Sequence, residues 1–316
     1  MMLLDYILTS VAIGMVFLLG CLGETLTEKA GHLNLGIPGI MCIGGAAGCL
    51  ALKYSNGLPG FLVVIIALIA SCVGGALMGA IYSFLTVTLK ANQNVTGLAM
   101  TTFGVGVTKY IMSGMAVGAH KNYLYALKYF RAPFSSASNG LKYWGIMMYL
   151  AIAIAIVAAY VLSRTRVGLH LRAVGENPAT ADAVGINVTA YKYCATCIGS
   201  AIAALGGLYY IMDYMGSMEA YKTIEALGWL SVALVIFTLW RPLVSIAGSI
   251  IFGMLYLAGA RIPTLLGINL GMSATPLLQM LPYLVTIIVL VITSIRNKRE
   301  NQPPASLGTN YFREER

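Results

Sequence analysis

The sequence contains few charged residues for its length. Only 10% of its 316 residues are charged, whereas 59% are hydrophobic, and the mean hydropathy is +0.81. A soluble domain carries roughly 25% charged residues, which it needs to cover its surface. The deficit excludes a soluble globular chain and predicts an all-α polytopic membrane protein. The net charge of +9 then reflects Lys and Arg residues near the membrane surface, which set the topology.

Motifs for nucleotide binding and hydrolysis are also missing. No segment matches Gly-x-x-x-x-Gly-Lys-[Ser/Thr], so the chain has no phosphate-binding loop of its own. Neither His-Glu-x-x-His nor Gly-x-Ser-x-Gly occurs, and the three histidines, His32, His120 and His170, lie far apart. No basic run is interleaved with aromatic residues. We therefore expect a chain that is not an enzyme, binds no cofactor or metal, and has no nucleic-acid partner.

Acidic residues are scarce and fall outside the middle of the apolar blocks. The chain has 11 Asp and Glu residues, and the one nearest to an apolar block, Asp213, stands at its end, where we expect it to face the interface. Ion-coupled transporters commonly use carboxylates inside the membrane. The pattern favours a transporter that takes its energy from elsewhere. The Cys194-x-x-Cys197 pair has no second ligand pair, so we interpret the cysteines as packing residues.

Apolar blocks divide the chain into about nine membrane segments, with about eight to ten as the range. The first, Tyr6–Leu22, follows no positively charged region, so we expect a retained span. The others cover residues 37–52, 61–89, 95–117, 144–162, 194–212, 227–239, 243–260 and 276–295. Segment 61–89 is long enough to tilt, and 227–239 is short enough to be broken or re-entrant. Gly44-x-x-x-Gly48 and Gly75-x-x-x-Gly79 predict close helix packing.

The chain is expected to form one membrane domain over residues 1–295, followed by a flexible cytoplasmic tail over 296–316. Basic residues indicate the orientation, because cytoplasmic loops carry an excess of Lys and Arg. The tail and the loop 164–192 fall on one side, together with Lys29, Lys90 and Arg241. We assign this side to the cytoplasm, which puts the N-terminus outside. The outer loop 118–143 is also basic and opposes the bias.

The polar stretch 164–192 carries clear signals for a short helix. Asn177 suits the N-cap, and Pro178 suits the first helical position, because proline lacks the N–H that would be unpaired there. Residues 179–184 make about two turns. Gly185 then permits a left-handed residue that closes the helix. We predict a short, rigid helix in a basic loop between membrane spans.

Neutral polar residues interrupt two of the apolar regions. They are Asn34, Gly36 and Pro38 in the first region, and Asn92, Asn94, Thr96 and Thr101 in the second. Amide side chains both donate and accept hydrogen bonds, which suits neutral hydroxylated or heterocyclic solutes. Interrupted helices of this kind also leave free backbone groups on a transport pathway. The alternative interpretation is helix–helix contact and helix capping.

With these residues in view, the chain resembles the membrane permease subunits of ABC importers. The similarity is to the simple-sugar and nucleoside type, related to ribose and branched-chain amino-acid permeases, and within it to one of two paired permeases of a nucleoside importer. Four stretches carry it, namely residues 28–41, 90–99, 171–187 and 281–285. The third, Leu-Arg-Ala-Val-Gly-Glu-Asn-Pro-Ala-Thr-Ala-Asp-Ala-Val-Gly-Ile-Asn, is highly specific.

The resemblance implies a multi-pass protein of a prokaryotic plasma membrane with several partners. These are a second permease, expected to be different, a cytoplasmic ATPase that uses ATP and Mg²⁺, and an extracytoplasmic solute-binding lipoprotein. It also implies a coupling helix that docks on the ATPase. The residues it assigns to coupling are Arg172, Gly175, Glu176, Asn177, Pro178, Asp182 and Gly185. A self-contained secondary transporter or channel for a small neutral solute, and an intramembrane enzyme or assembly factor, remain as alternatives.

Overall fold

The structure is a computed structural model that describes residues 2–55, 57–116, 121–131, 140–266, 278, 280–296 and 302–312. Within those ranges the regular secondary structure is entirely helical. The helices are α1 (Met2–Lys29), α2 (Ile37–Tyr54), α3 (Gly60–Ser83), α4 (Gln93–Ala116), α5 (Lys121–Phe130), α6 (Ile146–Arg164), α7 (Arg166–Glu176), α8 (Pro178–Ala183), α9 (Val188–Tyr209), α10 (Ile224–Phe237), α11 (Pro242–Leu266) and α12 (Leu281–Arg296). Single π-helical turns extend α3 to Thr88 and α9 to Met215, and a 3₁₀ turn precedes α10.

Seven helices in the described part of the chain are long and apolar enough to cross a membrane. They correspond to α1, α2, α3, α6, α9, α10 and α11, with the extensions just given. The segment expected at 227–239 is longer than its sequence suggests, because the 3₁₀ turn lengthens it to Met218–Phe237. Helix α4 has 24 residues but a more polar composition, and α12 has 16 residues. These two account for the difference from the expected nine.

Helix α1 forms the centre of the molecule. It packs against α6, α9, α10 and α11, and nearly every residue from Thr9 to Glu28 is buried. A helix that is apolar around its whole circumference belongs in the interior of a bundle. The apolar run predicted at 6–22 therefore continues as one buried helix to Lys29.

Small residues let α2 and α3 lie directly on α9. A Cβ atom on Gly44 would be 2.3 Å from the carbonyl oxygen of Ala204, and one on Gly75 would be 2.4 Å from that of Ser200. On the α9 side, a Cβ on Gly207 would be 1.8 Å from the carbonyl oxygen of Met41. The close packing predicted from the two glycine motifs is confirmed.

The bundle has two ends that are distinguished by their contacts. At the tail end, Ser306 bonds to Gly175 and Asn310 bonds to Lys90. At the N-terminal end, Asp5 lies 3.5 Å from Arg261 and the indole of Trp144 donates to the carbonyl of Leu8. Helices α1, α2, α3, α4, α6, α9, α10, α11 and α12 run alternately between these ends. The structure thus brings the stretch 164–192 and the residues after α12 to the same end, as expected.

Two sequence expectations need correction here. The loop 118–143 contains the helix α5, and Arg131 after it donates to the carbonyls of Asp213 and Tyr214 at 2.8 and 2.7 Å. Asp213 does not face an interface, since it is fully buried and accepts a bond from the amide of Met147. Residues 302–312, which were expected to belong to a flexible tail, pack on the tail end through hydrogen bonds of Ser306 and Asn310. His120 and residues 117–120, 132–139, 297–301 and 313–316 lie outside the described residues.

Candidate functional site

The specific stretch 171–187 folds as a hairpin of two short helices, α7 and α8. The side chain of Thr165 caps α7 by accepting a bond from the amide of Gly168 at 3.2 Å. Asn177 caps α8 by accepting from the amide of Thr180 at 3.0 Å, with Pro178 in the first turn. Gly185 has a φ of +86° and ends the hairpin. The predicted caps are confirmed, whereas the preceding loop is in fact the 11-residue helix α7.

The residues predicted to act in coupling divide into an exposed set and a packed set. Arg172, Glu176, Asn177 and Gly185 are exposed. Gly175 is buried, and a Cβ on it would be 2.3 Å from the carbonyl oxygen of Lys29, so α7 rests on the end of α1. Asp182 accepts a bond from the hydroxyl of Tyr311 at 2.8 Å, and Pro178 is half-buried. The hairpin therefore has a polar outer face, and its inner face is packed on the end of α1.

An open cavity of about 320 Å³ lies beside α7. Its lining residues are Lys29, Leu169, Arg172, Ala173, Glu176 and Pro304. Two cationic groups and one carboxylate surround it, which gives the opening a net positive charge. Such a recess at a helix surface is suited to receive a projecting acidic side chain of another protein.

Asn34 lies at the centre of a buried turn between α1 and α2. Its backbone amide donates to the Glu24 carboxylate at 2.9 Å, and its side-chain oxygen accepts from the backbone amide of Gly36 at 2.9 Å. The Asn34 side-chain nitrogen is buried and has no hydrogen-bond partner among the described residues. Pro38 is also buried and stands in the first turn of α2, where Gly228 packs on it. The turn is held rigidly next to the start of α4.

The first turns of α4 pack on the Asn34 turn, so the structure brings the two predicted polar regions together. Thr101 donates to the carbonyl of Leu35 at 2.8 Å, and Gln93 accepts from the amide of Leu33 at 2.9 Å. Thr96 is buried as well. Asn92 is exposed and caps α4 by accepting from the amide of Val95 at 3.1 Å. Most of these polar groups therefore bond to the backbone, which agrees with the alternative of helix–helix contact and helix capping.

One side of α4 is left uncovered along its length. The exposed positions of α4 form two adjacent rows, each with a spacing of three, four or seven residues. The first row is mainly polar and consists of Asn94, Leu98, Thr102, Gly106, Lys109 and Ser113; the second is mainly apolar and consists of Val95, Ala99, Phe103, Tyr110 and Gly114. We call the first row the α4 stripe. Of the residues predicted for the pathway, Asn94 alone belongs to it. The polar members explain the low hydropathy of α4, and the regular helical spacing of the stripe is a signal that sequence reasoning missed.

Two buried carboxylates in α1 are functional candidates that the sequence reasoning missed. Glu24 is fully buried, and Glu28 is buried and accepts a bond from the indole nitrogen of Trp240. They lie one turn apart in a helix that runs through an otherwise apolar core. The expectation that no acidic residue lies within a membrane helix is therefore wrong for these two and for Asp213. A spacing of four residues at the end of an apolar run was the available signal.

His32 is buried at the tail end and is unsuited to carry a proton. Its Nδ1 atom lies 3.0 Å from the Thr196 hydroxyl oxygen. Burial, together with the positive charges of Lys192 and Lys90, holds the pKa of His32 well below its usual value. The ring is therefore neutral near pH 7.

An apolar groove of about 740 Å³ lies between α1, α6, α7 and α9. Its walls include Leu26, Ile154, Leu171 and Ile198. A site for a small polar solute needs placed hydrogen-bonding groups. This groove offers almost none, so it is not the solute site.

Comparisons with known proteins show which proteins this chain is similar to. The family described as "Branched-chain amino acid transport system / permease component" matches residues 6–290. The chain is 30% identical to the nucleoside ABC transporter permease protein NupC of Lactococcus lactis over 281 residues, which is 86% of each chain. It is 32% identical to a putative glucose ABC transporter permease protein of Haloferax volcanii, covering 95% of this chain and 94% of the other. It is 27% identical to the guanosine ABC transporter permease protein NupQ of Bacillus subtilis, covering 86% of each.

Proposed function

The chain belongs to the family of permease components of branched-chain amino acid transport systems, and on that premise we propose that it passes a nucleoside or a similar small polar solute. It is a multi-pass plasma-membrane subunit of an ABC importer and is a transport component, not an ATPase. The nucleoside assignment follows the relatives named for nucleosides and guanosine. A relative named for glucose makes a hexose the second solute to test.

The observation that carries the proposal is the α4 stripe. Helix α4 has 24 residues, which at about 1.5 Å per residue is long enough to cross a bilayer. The amide, hydroxyl and ammonium groups of Asn94, Thr102, Lys109 and Ser113 in this stripe are costly in lipid, which favours a position facing water or another protein, although apolar residues are exposed beside them. We assign the stripe to the wall of the solute pathway, facing a second permease subunit.

We propose nine membrane helices, which are the seven apolar ones together with α4 and α12. Because successive helices alternate between the two ends, nine crossings put the N-terminus and residues 302–312 on opposite sides. The tail end carries Lys29, Lys90, Arg172 and Arg241, so the excess of basic residues favours its assignment to the cytoplasm. The N-terminus is then extracytoplasmic.

The α7–α8 hairpin is the proposed dock for a cytoplasmic ATPase. Its exposed residues Arg172 and Glu176 border the 320 Å³ recess, and Gly175 rests on α1. A capped, packed hairpin transmits a displacement better than a loop does. The remaining partners are a second permease, which the family resemblance suggests is different, and a solute-binding lipoprotein. ATP and Mg²⁺ are used by the ATPase, and no cofactor is assigned to this chain.

The test is uptake by the full transporter in proteoliposomes with ATP inside. We expect ATP-dependent uptake of a radiolabelled nucleoside, competed by unlabelled nucleoside and weakly by a hexose. Gly106→Trp places a bulky group on the α4 stripe, where a Cβ atom meets no atom within 4 Å apart from its own helix. It should lower uptake about tenfold or more while the complex still assembles. Ile69→Trp, on an exposed apolar face of α3, is the matched control and should transport normally.

A second arm separates this function from a self-contained transporter. That alternative predicts uptake by this chain alone, which collapses when the proton or sodium gradient is removed. The buried Glu24, Glu28 and Asp213 make the comparison necessary, since such groups are common in ion-coupled transporters. Gradient-driven uptake without the ATPase would overturn the proposal. Retention of both uptake and ATPase association in the double variant Arg172→Ala/Glu176→Ala would overturn the docking assignment.

A further inference from the structure

The segment after α12 is hydrogen-bonded to the α7–α8 hairpin. The backbone amide and hydroxyl of Ser306 both donate to the carbonyl of Gly175, at 3.0 and 2.6 Å. Tyr311 donates to Asp182 at 2.8 Å and packs on the apolar cluster of Val174, Ala181 and Val188. We call residues 302–312 the tail segment. The tail segment contacts both helices of the hairpin.

The same segment is also fastened to the turn between α3 and α4. The side-chain amide of Asn310 donates to the carbonyl of Lys90 at 2.7 Å, and Lys90 donates in return to the carbonyl of Tyr311 at 2.7 Å. Gln93 donates to the carbonyl of Thr309 at 3.2 Å. The tail segment thus joins the hairpin to the start of the helix that carries the α4 stripe.

Gln93 extends this connection to the Asn34 turn. Its side chain is buried, and while its nitrogen bonds to the tail segment, its oxygen accepts from the amide of Leu33 at 2.9 Å. Ser306 in addition lies against the α1–α2 turn, where a Cβ on Gly31 would be 2.6 Å from the Ser306 hydroxyl. The tail segment is therefore connected, directly or through Gln93, to both polar regions of the proposed pathway.

The α3–α4 turn itself is held in a strained conformation. Lys90 has a φ of +57°, in the left-handed region that residues other than glycine rarely adopt. Such a residue persists only when its surroundings hold it. The tail segment forms two hydrogen bonds with Lys90, so it helps to hold the α3–α4 turn in this conformation.

The tail segment leaves the outer face of the hairpin uncovered. Arg172 and Glu176 stay exposed beside it, and Pro304 forms one wall of the open 320 Å³ recess. A cap that blocked docking would bury these residues. The segment instead stands at the edge of the docking face, where a protein seated on α7 will touch it.

We propose that residues 302–312 are a transmission element of the transport cycle, with Ser306, Asn310 and Tyr311 as its positioning residues. The segment carries displacement of the α7–α8 hairpin to the α3–α4 turn and from there to the Asn34 turn. This inference rests on the proposed function, since it needs a cytoplasmic ATPase that moves the hairpin. The residues contact neither the solute nor ATP.

The experiment compares coupling with assembly in the full transporter. The triple variant Ser306→Ala/Asn310→Ala/Tyr311→Phe removes the side-chain bonds to Gly175, Lys90 and Asp182. The readouts are the amount of ATPase that co-purifies, ATP hydrolysis, and solute taken up per ATP hydrolysed. We expect normal co-purification and continued hydrolysis, with uptake per ATP lowered about tenfold. Ser306→Thr, which keeps the hydroxyl, should restore much of the loss when it replaces Ser306→Ala in the triple variant.

The matched control is Pro303→Ala/Ala305→Ser, which changes exposed positions of the same segment and should keep full uptake per ATP. Normal uptake per ATP in the triple variant would overturn the proposal. So would a loss of uptake that follows the loss of co-purified ATPase in proportion, because that marks a role in assembly alone. Failure of the proposed function looks different, since the unmodified transporter would then show no ATP-driven uptake.

Discussion

At the scale of single residues, the glycines of α2, α3 and α9 decide how closely these helices approach. We predict that Gly207→Ala destabilises the protein by about 1 to 3 kcal/mol, because its Cβ would be 1.8 Å from the carbonyl oxygen of Met41. Backbone atoms cannot move aside as a side chain can. The measurement is thermal unfolding of the purified complex in detergent.

The control for this prediction is Gly106→Ala in α4. Apart from its own helix, no atom lies within 4 Å of a Cβ built on Gly106, and alanine is the better helix former by about 1 kcal/mol. We expect an unchanged or slightly raised unfolding temperature. Equal destabilisation by the two substitutions would show that the backbone freedom of glycine, and not the close approach to Met41, explains the glycine at position 207.

Residue roles could be predicted from the sequence where the chemistry is local. Asn177 and Gly185 act on neighbours within a few positions, so their caps followed from the sequence alone. Burial of Glu28 depends on Trp240, which is 212 positions away. Nothing in the local pattern reports such a partner. The same limit explains why Asp213 and Arg131 were not paired in advance.

At the scale of elements, the cap of α8 determines whether the hairpin keeps its shape. We predict that Asn177→Ala destabilises α8 by about 1 kcal/mol, since the amide of Thr180 loses its acceptor. Hydrogen exchange at that amide should become roughly fivefold faster, and association with the ATPase should weaken. Asn177→Ser keeps an acceptor and should behave as the unmodified protein does. Unchanged exchange in Asn177→Ala would mean that tertiary contacts hold α8 without the cap.

Element boundaries were predictable for apolar helices and unpredictable for polar ones. The amphipathic helix α7 has no long apolar run, so its sequence indicates a loop. The sequence of the 3₁₀ turn before α10 likewise indicates a polar loop, although the turn lengthens the span. Residues 302–312 contain two prolines and polar side chains, which is typical of a free tail. Their order comes from hydrogen bonds to turns more than 100 positions away.

At the scale of the whole molecule, two kinds of exposed surface must be told apart. Apolar exposed residues such as Val73 and Tyr160 suit contact with lipid, whereas the α4 stripe carries polar groups. A membrane protein exposes polar groups at the depth of its helices only towards water or another subunit. The side that bears α4 therefore differs from the apolar faces, and it is the side that the proposed function assigns to a second permease.

The last prediction tests that difference by cysteine labelling. A thiol reacts as the thiolate, which needs water, so a cysteine in lipid stays unreactive towards polar reagents. In a background without the partly exposed Cys72, Cys194 and Cys197, we expect Thr102→Cys to react with a membrane-impermeant thiol reagent in the assembled transporter. Added solute should slow the reaction severalfold by occupying the pathway.

The matched position for this experiment is Val73→Cys, on an exposed apolar face of α3. It should stay unlabelled with or without solute, because lipid covers it. Equal labelling at the two positions would mean that α4 lines no separate aqueous path. Protection of Thr102→Cys by the partner permease alone, with no further effect of solute, would assign the stripe to subunit contact. A solute-dependent change confined to the stripe would establish that the polar side of this bundle is the transport pathway.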